Sequence, residues 1–220
     1  MKIIKQSWSF HVPVVGADLL RSIESAGRTC YKSEEKVDTE NFIRLIIARG
    51  HESVLEHGNA SVRIVTDRGV THELVRHRIA SYSQESTRYC NYASDRFGNQ
   101  VTFILPVWFY AYHAQEEFDG DWPSQNKIPM NHSYYEWLKA CQDAEKHYLE
   151  MLRFGSTPQE ARAVLPNSLK TEIVMTANLR EWRHFFRLRT APAAHPQMRE
   201  LAESMLSGFR QSVPVVFELV

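Results

Sequence analysis

An α+β fold is the class this sequence predicts. Apolar residues recur at helical spacing in several segments, and short alternating runs between them read as strands. The two kinds do not follow the strict strand–helix alternation of a doubly wound parallel sheet. At 220 residues the chain is long enough to bury one sizeable core, and no repeat, low-complexity tract or linker divides it, so residues 1–220 are expected to form a single domain.

The elements follow in order. Residues 1–5 suit an edge strand. A helix over 16–28 places Leu19, Leu20 and Ile23 on one face. The next helix is better marked, with Asp38 or Thr39 as N-cap, the apolar run from Phe42 to Ala48, and Gly50 as its stop. A polar loop covers 51–59, a strand 60–66, a turn Asp67-Arg68-Gly69, and a helix 70–78. A strand over 101–105 ends at Pro106, and 111–130 reads as an irregular excursion. The longest helix spans 132–153 and is closed by Gly155. Thr157-Pro158 opens a short helix with proline at its first position, ended by Pro166. Residues 169–176 suit a strand, 178–189 a helix and 196–211 a last helix.

Composition excludes several classes. Net charge is zero, with 26 basic against 26 acidic residues, whereas a protein that coats nucleic acid is usually a basic domain. The charge is uneven: residues 162–189 hold six basic and two acidic side chains, a local net of +4. Such an island suits one discrete anionic ligand. Cys30, Cys90 and Cys141 share no CxxC spacing and frame neither a disulfide scaffold nor a zinc site; they read as buried, inert thiols. The N-terminus turns polar too soon for a signal peptide, and no apolar run approaches the ~20 residues of a membrane span. A reduced, cytoplasmic setting is expected.

The densest chemistry lies in Arg76-His77-Arg78-Ile79-Ala80-Ser81-Tyr82-Ser83-Gln84-Glu85-Ser86-Thr87-Arg88-Tyr89. Three guanidiniums, an imidazole and four Ser or Thr hydroxyls stand against one carboxylate, Glu85. Guanidiniums fork onto phosphate and carboxylate oxygens, so the segment suits a small anion. On structural grounds alone the hydroxyls could be a capping and turn cluster. Three further segments stand out. In His51-Glu52-Ser53-Val54-Leu55-Glu56-His57 the histidines are six apart, about 240° around a helix, so no HExxH zinc site forms, and Glu52 and Glu56 read as a solvated pair. Arg162 sits between alanines before Pro166. In 178–189, Leu179, Trp182, Phe185, Phe186 and Leu188 form an apolar face, Arg180 and His184 share a side, and Arg183 and Arg187 read as surface.

Arg76-His77-Arg78, seven residues, then Ser86 resembles the RHR-x7-S signature of the flavin-dependent thymidylate synthases, and the likeness extends through Arg88-Tyr89 and the three further segments. The resemblance implies a single domain with a mixed central sheet flanked by helices. It implies reductive methylation of dUMP to dTMP, with methylenetetrahydrofolate as carbon donor, FAD as hydride carrier and NADPH as reductant. It assigns His51, Ser53, Arg76, His77, Arg78, Asn178, Arg180 and His184 to the flavin. Gln84, Glu85, Ser86, Thr87, Arg88, Arg162 and Arg189 fall to the nucleotide, with Arg76 and Gln84 at the border of both sites. Glu73 sits where some members contact nucleotide with a glutamine. Family members are homotetramers whose sites draw on several subunits; neither a metal, a membrane nor a nucleic-acid polymer is implied.

Methylating C5 of uracil requires that carbon to become electron-rich. None of the three cysteines lies in the Pro-Cys-His setting of the cysteine-dependent thymidylate synthases, and no enzyme thiol nucleophile is expected. A permanent cation beside the ring carbonyl or deprotonated N3 can instead stabilise the developing charge, and Arg189 is the candidate. Ser86 is the other residue assigned to catalysis; it binds nucleotide first, since a serine nucleophile needs an activating base that the sequence does not place beside it. No GxGxxG follows a strand, so a Rossmann flavin site is not expected. A non-enzymatic nucleotide- or RNA-binding module competes for the same basic clusters, with zero net charge against it; a serine or zinc hydrolase on Ser86 or His51 and His57 fails on spacing.

Overall fold

The structure, a computed structural model, describes residues 1–32, 38–113 and 132–220. Most of the expected excursion at 111–130 lies outside these residues. The chain is α+β, as its patterning predicts, with parallel and antiparallel strand pairs and helices of every length from one turn to six. The described residues gather into two compact units.

The first unit comprises Met1–Gln6, Thr66–Gly69 and Glu85–Thr171. Strand Lys2–Ile4 pairs in parallel with Thr102–Ile104, in the register Ile3 to Phe103. The long helix His132–Arg153 has the bounds its periodicity predicts, and Gly155 follows with φ +93°, a left-handed conformation that glycine adopts without strain. Phe103, Cys141, Tyr148 and Leu169 form its main core. The short helix Pro158–Ala161 opens on a capping box: Thr157 and Glu160 satisfy each other's backbone donors, with proline at the first helical position.

The second unit comprises Ser7–Val65, Val70–Gln84 and Glu172–Val220. Its sheet holds four strands in the order Ser7–Phe10, Asn59–Asp67, Lys170–Asn178, Ala80–Gln84. The outer pairs are antiparallel, with Ser9 opposite Arg63 and Tyr82 opposite Met175. Helices Gly16–Tyr31, Thr39–Ala48, Leu179–Arg189 and Pro196–Ser212 share its core. Asp38 is the N-cap, accepting from the Asn41 backbone N–H at 3.0 Å. Trp182, fully buried, stacks on Phe186 at 5.7 Å and donates its indole N–H to the Ala60 carbonyl at 3.1 Å.

Several expectations need correcting. The strands at Ser7–Phe10 and Ala80–Gln84 are not evident from composition, because the second is built of serines, Tyr82 and Gln84. Ser81 and Ser83 therefore point outward from a strand and do not form a turn cluster. No turn occupies Asp67-Arg68-Gly69; a helix begins at Arg68, whose backbone N–H is held by the Asn167 carbonyl at 3.0 Å, and it ends at Leu74, short of the expected 78. Residues 52–57 form a 3-10 turn, and one-turn helices at Tyr110–His113 and Pro214–Phe217 were not anticipated. Cys141 is buried, its thiol pushed up to about 12 by desolvation, but Cys30 is exposed, contrary to its expected burial.

Gly208 generates a test. A Cβ there collides with the Trp8 ring, which is held edge-on to Phe10 and donates to the Ser204 hydroxyl at 3.0 Å. Gly208→Ala should therefore destabilise the protein by about 1–3 kcal/mol in urea unfolding. A gain of about 1 kcal/mol, the ordinary effect of replacing a helix-interior glycine, would contradict the close approach.

Candidate functional site

In the second unit the site is organised by helix Leu179–Arg189. Asn178 is its N-cap, its Oδ1 accepting from the Glu181 backbone N–H at 2.8 Å. Leu179, Trp182, Phe185 and Phe186 are buried, which fixes the rotation of the helix about its axis. Leu188 is 50% exposed and does not belong to that face. At about 100° per residue it stands roughly 180° around the helix from Leu179.

Glu181, which sequence reasoning missed, is 8% exposed, and His77 is 5% exposed. His77 Nδ1 lies 3.1 Å from Glu181 Oε1. Arg189 Nε donates to His77 Nε2 at 3.1 Å, its Nη1 to Glu73 Oε2 at 2.7 Å and its Nη2 to the Glu73 carbonyl at 2.9 Å. An arginine accepts nothing, so Nε2 is the acceptor and the His77 proton resides on Nδ1, donated to Glu181. The Tyr82 hydroxyl reaches the carbonyls of Leu74 and His77 at 2.7 and 2.8 Å, and burial pushes its ionisation up to about 12, so it remains a donor. The signal for Glu181 in the sequence was its place three residues after Asn178, an asparagine-capped helix start with an acidic third residue.

The other assigned residues divide by exposure. Arg76 and Arg78 are exposed beyond the helix end, and among the described residues neither guanidinium has an acidic partner. His51 and Ser53 are exposed at and in the 3-10 turn, His184 is exposed with its ring 5.9 Å from that of His77, and Gln84 donates to the Thr71 hydroxyl at 3.1 Å. Arg180 pairs with Glu56 at 2.6 Å. One of these readings changes: Arg183 is not surface but 2% exposed, donating to the Val216 carbonyl and at 3.2 Å to Glu52, while Arg187 is exposed as expected and reaches the same carboxylate at 3.3 Å. Glu52 is accordingly an ion-paired anchor, since a buried guanidinium requires a counter-charge, whereas Glu56 makes a surface pair with exposed Arg180.

In the first unit, Glu85 accepts from the Tyr92 hydroxyl and from Lys170 Nζ, both at 2.8 Å, so each of its oxygens is engaged. Buried Thr87 accepts from Arg162 Nη1 at 3.1 Å, which brings two assigned nucleotide residues together. Ser86 Oγ accepts from the Arg88 backbone N–H at 3.3 Å, and the Arg88 guanidinium lies 5.4 Å over the Tyr89 ring.

His77, Glu181 and His184 place ligand-type atoms within 4.8 Å of one another, the geometry a metal ion could use. The chemistry opposes it. Glu181 already holds the Nδ1 proton, and the fixed cation of Arg189 occupies the Nε2 lone pair.

Comparison with known proteins bears on the family. Residues 17–215 match the thymidylate synthase complementing protein family. A flavin-dependent thymidylate synthase of Corynebacterium aurimucosum is 34% identical over 203 residues, covering 89% of this chain and 78% of the relative. One from Geobacter sulfurreducens is 34% identical over 206 residues, 89% of this chain and 79% of the relative. One from Pyrococcus furiosus is 36% identical over 171 residues, 77% of this chain and 62% of the relative.

The relay has a pH signature. His77 is faced by Glu181, His184 and Arg189 of one helix and by Tyr82 of the neighbouring strand, with Glu73 bound to the far side of Arg189. Burial first, with Arg189 and His184, lowers its proton affinity, and Glu181 only partly offsets this. The unfolded chain binds the proton near pH 6.5, the folded chain at lower pH, so stability present above about 6.5 is lost as pH falls through that window. The urea midpoint should drop more steeply between neutral and mildly acid pH in the unmodified protein than in His77→Gln. Parallel curves would show that His77 contributes nothing to the acid loss.

Proposed function

The chain belongs to the flavin-dependent thymidylate synthase family, and from that premise we propose that it converts dUMP to dTMP, taking the carbon from methylenetetrahydrofolate and reducing equivalents from NADPH through FAD. The observation that carries the site assignment is the set of exposed guanidiniums of Arg76, Arg78 and Arg88, without an acidic partner among the described residues. An exposed guanidinium without an acidic partner suits an anionic phosphate, which accepts two parallel N–H bonds from it.

Arg76 and Arg78, with His51, Ser53, Asn178, Arg180 and His184, are taken to hold the flavin. The donor set suits a pyrophosphate-bearing cofactor: two open guanidiniums, imidazoles and a hydroxyl, with no glycine-rich loop needed. When bound, the flavin supplies the hydride. Ser86, Thr87, Arg88 and Arg162 are taken to hold the nucleotide. Thr87 already orients Arg162, which favours a pre-formed grip. Glu85 is tied to Lys170 and Tyr92, and Gln84 to Thr71, so each side chain is held in a fixed position within its own unit.

Arg189 is proposed as the activating cation. Its three nitrogens are each anchored once, leaving the second N–H of each terminal nitrogen for a ligand. Aimed at the uracil carbonyl or N3, they stabilise negative charge as it develops without titrating. No thiol is needed: Cys90 and Cys141 are both pushed away from ionisation by burial, the opposite of an activated nucleophile.

Residues 1–220 are read as one functional domain, since the family match runs from 17 to 215. A homotetramer is proposed; exposed Val75, Ile79 and Leu188 offer apolar surface that a partner subunit could cover. A cytoplasmic setting accords with three unpaired cysteines.

The test is the visible spectrum of purified protein with FAD, followed anaerobically after NADPH with and without dUMP. Bound flavin should bleach faster with dUMP. Arg189→Ala should keep the flavin and lower dUMP-dependent turnover by about 10²–10³-fold. Failure to retain flavin at any concentration would sink this reading.

A further inference from the structure

We infer that His77 is a positioning residue for the Arg189 guanidinium, linked through Glu181 to the cap of the helix that carries Arg189, and is not itself a flavin contact. The inference rests on the proposed role of Arg189 for its functional meaning, but its geometry stands independently.

Both ring nitrogens of His77 are committed: Nδ1 to Glu181 at 3.1 Å and Nε2 to Arg189 Nε at 3.1 Å. The ring is buried edge-on against Phe185 at 4.9 Å, so its apolar surface is covered as well. It offers no polar atom to a cofactor, in contrast to its exposed neighbours Arg76 and Arg78. The alternation within this triplet follows from backbone placement. Tyr82 holds the His77 carbonyl, and His77 N–H bonds to the Leu74 carbonyl at 3.1 Å, which turns the middle side chain inward and the flanking two outward.

The chain of bonds has a direction. Asn178 holds the Glu181 backbone, Glu181 fixes the tautomer of His77 by accepting from Nδ1, and His77 Nε2 then has only a lone pair to present. That lone pair orients the Arg189 Nε–H, while Glu73 holds the two terminal nitrogens from the other side. A guanidinium held at three points presents its remaining N–H groups in one plane. The alternative tautomer, with its proton on Nε2, would direct a donor at a donor and release the arginine. This is the reason an exposed-looking signature would carry a buried histidine between two arginines.

The test uses the full chain labelled with ¹⁵N-histidine and ¹⁵N-arginine. Long-range ¹H–¹⁵N spectra should show His77 as the Nδ1–H tautomer and an Arg189 Nε–H protected from exchange, the protection being lost in His77→Gln. A ring protonated at Nε2, or one titrating as an ordinary histidine, overturns the inference whether or not any ligand binds. In kinetics, His77→Gln should retain FAD and lose roughly 10²-fold in dUMP-dependent kcat, the scale of a misplaced group. Glu181→Gln, with His77 in place and an amide oxygen that still accepts from Nδ1–H, should keep most of the unmodified kcat. A His77→Gln protein that releases FAD yet keeps its dUMP dependence would make His77 a flavin contact and overturn the proposal. If the unmodified protein shows no dUMP dependence, the functional reading fails, while the tautomer and exchange data still decide the positioning role.

Discussion

The polar cluster around His77 depends on how helix Leu179–Arg189 is rotated about its axis, and that rotation is set by aromatic burial. Trp182, Phe185 and Phe186 pack against one another, and Trp182 and Phe186 against Phe209, at 5.0–5.7 Å, and none has exposed surface. Turning the helix by one residue would expose such side chains at a cost of about 1.5–3 kcal/mol each. With the apolar face committed, Glu181 can only enter the buried rim beside His77, and Arg189, two turns on, can only return to Glu73 and His77. The site is a consequence of the core.

Burial also explains why its inward-facing charges are paired, even though the Nε of Arg183 is left without a hydrogen-bond partner. An unpaired buried ion is disfavoured by several kcal/mol, so each guanidinium drawn inside must be matched. Arg183 meets Glu52 and a carbonyl; Arg189 meets Glu73. In the first unit the same rule pins Glu85 between Lys170 and Tyr92. Arg76, Arg78 and Arg88, without an acidic partner among the described residues, are exposed.

Much of this was legible in the sequence and the remainder failed for identifiable reasons. The helix His132–Arg153 and the helix opening at Asn178 carry strong periodicity and clear caps, and both were readable. Strand Ala80–Gln84 was not, because its identity comes from antiparallel pairing with Ala177 through Ile173, while its own residues are those of a loop. The family was legible from the arginine signature, which the match over residues 17–215 bears out. What the sequence could not separate was Arg183 from Arg187, or His77 from Arg76 and Arg78. Charged type alone says nothing of burial; for these residues it is decided by Glu52 and Glu181, partners more than 100 positions away in the chain.

The most direct measurement of the whole account is the fate of the carbon. With FAD, NADPH, dUMP and methylenetetrahydrofolate carrying a ¹³C methylene group, the protein should place the label in the C5 methyl of dTMP, and omission of either FAD or NADPH should stop it. Flavin bound and reduced in the complete mixture, with dUMP recovered unchanged and no label in a pyrimidine, would contradict it.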